Sequence, residues 1–343
     1  MDDPTEPAPV AMLQGVVAMI DALGFKGIWK DPEDPSTGVL ESLRRIGDGA
    51  HKDRWEAAER LKHSRLPDEV VKFVKNPQVK IVQLSDTIVV AAGREPRERA
   101  VWARHAAELE KAGYDIPGLE KAVDGFLRYL VCRCVSRILL TAALCDPPLT
   151  YRGVVTFGRF AIDENFLLGP AVDEAADLMD LADGPFVWLA PTSLWLPHRL
   201  TERKAPRWNT VAVPYSVPLK EGRTIRTRVV NPFAYSANPG QRQRIEGNIL
   251  GALVSPKIDV FVKRDNTQQF FERVAVMERI AARAAARRQE QAREEGVRAY
   301  VAAVLPAGEP PTTVAPAQPA PPAAMDKPKI PARPGHPPTE PAE

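Results

Sequence analysis

Two aspartates in this 343-residue chain stand where acids can do chemistry together. Asp21 follows the apolar run Val16 to Ile20, and Asp86 sits in the polar pair Ser85-Asp86 between two β-branched runs, Val79 to Leu84 and Thr87 to Ala92. A short apolar run ended by an acid and by the turn-prone Leu23-Gly24-Phe25-Lys26-Gly27 reads as a buried strand with functional groups at its C-terminal end. Two carboxylates gathered at strand ends are the hard oxygen ligands that Mg²⁺ or Mn²⁺ prefers. With only two acids, water or substrate phosphates must complete the coordination, as in two-metal phosphoryl and nucleotidyl transfer. The backbone of Gly24 to Gly27 offers N–H groups to phosphate oxygens, and Lys26 adds a point charge. Asp is also a common turn former at strand ends and hairpins, so spacing alone leaves both readings open.

The elements that must position these groups follow from the pattern. Two β-branched runs split by a polar pair predict a hairpin with Asp86 at its tip. Glu95 to Ala112 reads as a helix, and Leu119, Ala122, Val123, Phe126, Leu127, Leu130, Cys134 and Ile138 mark a long amphipathic one. Tyr151 to Phe160 reads as a strand holding Gly153 and Gly158, where a glycine signals close approach of a ligand or another backbone. Pro170 to Ala182 is a helix entered through Gly169 with proline in its first turn. Strands are expected at Phe186 to Ala190, Val211 to Val217 and Thr224 to Val230, a helix at Gln241 to Val254, and a last helix from Asn266 to about Val304. That order is an α+β fold: one mainly antiparallel sheet with helices packed on one side.

Thirteen of the 34 prolines fall in residues 306–343, too few large apolar residues accompany them to offset ordering entropy, and disorder is expected there. The organisation read from sequence is a flexible 1–12, a catalytic domain over 13–272, a charged helical extension over 273–304 and a Pro/Ala-rich tail over 305–343. The extension, with Arg279, Arg283 and Arg287 in one row, is read as lying in solvent or against a partner.

A net charge of +2 carries no global signature for nucleic acid or an anionic membrane. The most apolar stretch, Phe126 to Leu144, carries Arg128, Arg133 and Arg137 and is no membrane span. The acidic, proline-bearing start lacks a signal-peptide pattern. Cys132, Cys134 and Cys145 cannot all pair, so a reduced, cytoplasmic setting with buried thiols is expected. His51, His63, His105, His198 and His336 show no ligand spacing, so no zinc site is proposed. Trp188, Trp195 and Trp208 are read as core or dimer contacts.

Met19-Ile20-Asp21-Ala22-Leu23-Gly24-Phe25-Lys26 resembles the first metal motif of the class III nucleotidyl cyclases, and Leu84-Ser85-Asp86-Thr87-Ile88 their second. Tyr151 to Gly158 resembles the later glycine-bearing strand, and Gly169-Pro170-Ala171-Val172-Asp173-Glu174-Ala175-Ala176-Asp177-Leu178 the helix after it. The wording is most similar to the bacterial pyrimidine cyclases of the Pycsar antiphage system. Val217-Pro218-Leu219-Lys220, Asp265-Asn266-Thr267 and Phe270-Phe271 also fit that group, so the resemblance covers roughly residues 13–272.

The resemblance implies conversion of UTP, or CTP, to the 3′,5′-cyclic nucleotide with release of diphosphate, as a messenger in antiphage defence read by a separate effector. It implies two Mn²⁺ or Mg²⁺ ions held by Asp21, Asp86 and the carbonyl of Ala22, with Gly24, Phe25 and Lys26 on the triphosphate. Because such centres form between two cyclase domains and this chain carries one, it also implies a homodimer. One departure stands out: Asp173 and Asp177 occupy the places of an Asn and an Arg that serve the ribose and the transition state in purine cyclases. An acid cannot replace a cation beside developing phosphate charge, so Arg152, Arg159 or Lys26 must substitute. Otherwise the chain is a catalytically degenerate nucleotide-binding module. A purine cyclase is the third alternative.

Overall fold

In a computed structural model, the chain is described over residues 12–23, 38, 41–49, 78–94, 100–162, 166–196, 208–236 and 238–304. Strands β1 (Met12–Leu23), β2 (Gln78–Leu84), β3 (Thr87–Arg94), β4 (Thr150–Ile162), β5 (Leu167–Leu168), β6 (Val187–Leu189), β7 (Ala212–Pro218) and β8 (Thr224–Val230) form one sheet. Helices α1 (Ala100–Lys111), α2 (Ile116–Leu144), α3 (Pro170–Leu178), α4 (Pro239–Ala252) and α5 (Ile258–Val304) accompany it. The strand order is β2-β3-β1-β4-β6-β8-β7, with β5 paired to β4. Every pairing is antiparallel except β4 with β6, which the crossover through β5 and α3 makes parallel.

β1 lies inside the sheet, between β3 and β4. Along it, Val16, Ala18, Ile20 and Ala22 join one buried cluster, together with Val131, Val135 and Ile138 of α2. Leu13 and Val17 join the other, with Ala171 and Ala175 of α3 and with Trp188. Apolar residues of both parities demand cover on both faces, so the expectation of helices on one side of the sheet is corrected: α2 lies on one face and α3 on the other. The α+β, mainly antiparallel class stands.

α2 begins with the Asp115 carboxylate accepting from the Gly118 amide at 3.1 Å and with a proline in its first turn. The arginines that ruled it out as a membrane span are taken inside: Arg128 is fully buried and donates to the Ser193 and Leu194 carbonyls at 2.7 and 3.1 Å. Asp124 receives both nitrogens of Arg94 at 2.8 and 3.1 Å, the two-bond fork that makes an arginine pair directional. Among the described residues no helix is long and apolar enough to cross a membrane. Cys132, Cys134 and Cys145 are buried free thiols, as expected.

The other elements follow the sequence pattern with shifted ends. α3 stops at Leu178, four residues short of the expected end, and a turn follows. α5 begins at Ile258, eight residues before the expected start, and runs unbroken through residue 272. Phe270 packs edge-on against Phe186 and Tyr215, and Phe271 against Phe233, fastening the first turns of α5 to the sheet. The chain divides into a compact unit through Ala286 and a second unit from Arg287, which is helical to Val304 and exposed over residues 287–300. Residues 305–343 lie outside the described residues.

The glycines of β4 act through close approach. A Cβ on Gly153 would lie 2.1 Å from the Met19 carbonyl, and one on Gly158 would lie 3.3 Å from Ala171 of α3. Gly153→Ala is therefore expected to cost at least the roughly 1–3 kcal/mol of an overpacked core. Gly247→Ala in α4, where a Cβ meets nothing, should be neutral or stabilising by up to about 1 kcal/mol. Urea denaturation of both variants checks the pair.

Candidate active site

The register of three strands builds a row of polar side chains. On β1, Asp21 stands opposite Thr87 of β3 on one side and Arg152 of β4 on the other. Directly paired residues point to the same face, here the face that α3 covers. The Thr87 hydroxyl donates to Asp21 Oδ1 at 3.3 Å, and Arg152 Nη2 lies 3.9 Å from Asp21 Oδ2.

The expected hairpin forms, with Leu84 paired to Thr87 across the two-residue turn Ser85-Asp86. Ser85 takes φ 58°, the left-handed conformation that such tight connections demand. The Ala22 amide donates to the Asp86 carbonyl at 3.2 Å. That bond pins the hairpin tip to the end of β1 and brings the two acids together. Ala22 itself is buried, with its side chain in the cluster against α2.

The electrostatics record this convergence. Burial, then the nearby charge of Asp86, raises the Asp21 carboxyl above its ordinary range, with Asp180 adding to the rise; the Thr87 hydrogen bond and Arg152 oppose it. The sum is a half-buried carboxylate carried at a cost. Arg152 is held from its other end, where Nη1 donates to the Asp180 carbonyl at 3.3 Å. Its Nε is buried without a hydrogen-bond partner. The Asp180 carboxylate takes Lys220 at 2.8 Å, which draws its own pKa down. Among the described residues, no group of three His, Cys, Asp or Glu is placed to hold a metal ion.

Of the residues singled out from sequence, Asp21, Ala22, Asp86 and Arg152 are gathered at one end of the sheet. Gly24, Phe25 and Lys26 lie outside the described residues. Arg159 is exposed and seven residues along β4 from Arg152, about 23 Å at strand rise, so it is not brought to Asp21. Trp188 is core at 2% exposure, whereas Trp195 is 83% exposed and not core. Asp173 and Asp177 are exposed on α3 and, with Glu174 and Trp188, line a cavity of about 660 Å³. Burial raises the Glu174 carboxyl, against the hydrogen bond from Thr192.

Three participants were not read from sequence. Thr87 was visible as the residue after Asp86. Asp180 was hidden inside an over-extended helix, and Lys220 pairs with it across forty residues that no local pattern connects.

Asp21 supplies a pH test. Its folded pKa lies above the unfolded value, so the folded state binds more protons in that window, and stability falls as pH rises from about 3.8 through the raised value. Asp21→Asn should therefore melt higher than the parent chain at neutral pH in EDTA, with the difference vanishing near pH 3.5. Thermal unfolding across that range checks the sign.

No protein-family model matches the chain, and no curated protein does. Solved structures that resemble it include the catalytic core of a rhodopsin-guanylyl cyclase with converted specificity in complex with ATPαS, at 12% identity and a TM-score of 0.32 over 65% of this chain and 98% of that one. Another is an adenylate/guanylate cyclase/hydrolase from Silicibacter pomeroyi, at 14% identity and a TM-score of 0.28 over 64% and 96% of the two chains.

Proposed function

We propose that the chain is a nucleotidyl cyclase of the class III type that converts a pyrimidine nucleoside triphosphate, UTP before CTP, to its 3′,5′-cyclic nucleotide. The observation that carries this reading is the convergence of Asp21 and Asp86 beside Arg152: two acids that repel one another, next to a guanidinium whose Nε is buried without a partner. The motif order described above and the mainly antiparallel sheet support it.

The residues fit divalent ions by their chemistry. Asp21 and Asp86 offer hard oxygens, the rise of the Asp21 carboxyl marks negative charge that a cation would relieve, and too few protein ligands converge to displace substrate oxygens. Asp21, Asp86 and the Ala22 carbonyl would hold Mn²⁺ or Mg²⁺. When bound, such ions supply a lowered pKa at the ribose hydroxyl and neutralise triphosphate oxygens.

The chain's own groups then have separate tasks. Thr87 holds Asp21 in orientation through its hydrogen bond. Arg152, clamped between Asp21 and the Asp180 carbonyl, takes the cationic role that Asp173 and Asp177 cannot fill. Lys220 keeps the Asp180 charge from competing for the arginine. In the reaction the ribose 3′ oxygen forms a bond to the α-phosphorus in line as the bond to the β-phosphate oxygen breaks. The hydroxyl proton passes to solvent and diphosphate leaves. A homodimer with two equivalent sites, a cytoplasmic setting and a defence role with a separate effector belong to the same reading.

The exposed acids Asp173 and Asp177 favour one competitor, a cyclase fold that binds nucleotide without turnover. Incubation of the dimeric protein with each of the four nucleoside triphosphates and Mn²⁺, followed by mass spectrometry, decides between them. Cyclic UMP or cyclic CMP is expected; a cyclic purine product would reassign the substrate, and tight binding with no product from any nucleotide would select the competitor. Asp86→Ala is expected to remove activity together with the rise in melting temperature on Mn²⁺ addition. Arg152→Ala should lower kcat by roughly 10²–10³-fold, the usual cost of removing one donor to developing phosphate charge, with Arg152→Lys recovering part of it.

A further inference from the structure

Val217-Pro218-Leu219-Lys220, at the end of β7, and Asp265-Asn266-Thr267, early in α5, both close on one stretch of chain. That stretch, residues 179–186, leads from α3 to β6. The Lys220 amide donates to the Leu181 carbonyl and the Asp183 amide to the Pro218 carbonyl, both at 2.9 Å. From α5, Asn266 Nδ2 donates to the Asp183 carbonyl at 2.9 Å and lies 3.5 Å from the Asp183 carboxylate. The Asp180 carbonyl, which accepts from Arg152, belongs to the same stretch.

Of the three α5 residues, Asn266 turns its side chain to another element. Asp265 accepts from Gln269 one turn on at 2.8 Å, and the Thr267 hydroxyl donates to the Lys263 carbonyl one turn back at 2.6 Å. Asparagine is a weak helix former because its amide competes with the backbone, so a helix interior carries one at some cost. The bond to Asp183 offsets that cost. The helix under Asn266 is itself fixed: the Tyr215 hydroxyl donates to the Asn266 carbonyl at 3.3 Å, and Phe270 packs edge-on against Tyr215 and Phe186. Phe186 completes the circuit, because its carbonyl accepts from the amide of Gly153, the neighbour of Arg152.

We propose that Asn266 is a positioning residue for Arg152, holding residues 180–183 so that the Asp180 carbonyl aims the guanidinium, an assignment that rests on the nucleotidyl-transfer reading of the Asp21 site. The Asp180 carbonyl, at 3.3 Å, is the nearer hold on Arg152; the Asp21 carboxylate stands at 3.9 Å. A cation that meets charge developing in a transition state is most effective when its direction is set before reaction. Two side chains could set residues 180–183. The ion pair of Lys220 with Asp180 is 43% and 47% exposed, where such pairs contribute little. The Asn266 bond is half-buried and grips a backbone carbonyl, so water competes less and the main chain itself is held.

Asn266→Leu keeps the approximate shape, removes the donor and favours the helix, so it separates the bond from helix stability; Asn266→Gln keeps an amide. In the full chain, hydrogen exchange read by mass spectrometry should run about fivefold faster over residues 179–184 in Asn266→Leu, the worth of one lost hydrogen bond. Exchange in β1 and β3 should not change. With Mn²⁺ and the nucleotide that the parent chain cyclises, kcat should fall roughly tenfold, as for a misplaced catalytic group. KM should hold, and Asn266→Gln should recover part of the loss. In an Arg152→Ala background the leucine substitution should change kcat less than about twofold, because the group it positions is gone. Additive losses in the double variant overturn the proposal, since a merely structural role predicts them; so does unchanged exchange over residues 179–184, or a loss carried by KM. A parent chain that forms no cyclic product from any nucleotide overturns instead the reading of the Asp21 site, and exchange alone then decides whether Asn266 holds the segment.

Discussion

Everything at the candidate site rests on the pairing of β1 with β4. Those two strands approach so closely that the Met19 carbonyl leaves no room for a side chain on Gly153, and this approach sets which residue faces Asp21. In an antiparallel ladder, a slip by one residue would turn Arg152 to the α2 side and put Gly153 or Tyr151 in its place. The glycine thus selects the register, the register selects Arg152, and the arginine tempers a carboxylate that burial and Asp86 have made costly. A strand covered on both faces can hold such a charge because apolar packing along the rest of its length outweighs the local penalty.

The acids were legible in the sequence because each interrupts a pattern. Asp21 ends an apolar run, and Ser85-Asp86 splits two β-branched runs, so strand and hairpin could be written down with their tips occupied. Arg152 was legible only as a cation ahead of a strand glycine; its role as the partner of Asp21 needs the register, which a sequence does not carry. The same limit hid Lys220 and Asp180, whose contact exists because the β4–β6 crossover and the β7–β8 turn meet. Two errors had physical warnings in the residues. β1 is apolar at both even and odd positions, which argues for cover on two faces. Asp180 and Asp183 flank a segment that leaves the helical spacing after Leu178.

The two basic regions differ in kind. At the Asp21 end a single guanidinium stands among acids, so the local charge is mixed and a ligand there must bring both negative groups and, on the proposed reading, cations of its own. At the β7 edge Arg226 and Arg228 share one face of β8, the latter near the buried Arg128. One sheet therefore offers two electrostatic environments, separated by the widths of β4, β6 and β8, with the strands themselves as the insulating layer.

The turn between β7 and β8 is stitched to the segment after α3 at several points: Lys220 N–H to the Leu181 carbonyl, Asp183 N–H to the Pro218 carbonyl, the bridge between Ala182 and Leu219, and the ion pair of Lys220 with Asp180. The carbonyl that steadies Arg152 belongs to that same segment. The edge hairpin is consequently a strut of the site: a tilt of its tip carries the Asp180 carbonyl with it and loosens one end of the arginine clamp, while the aspartates, anchored through β1, stay where they are.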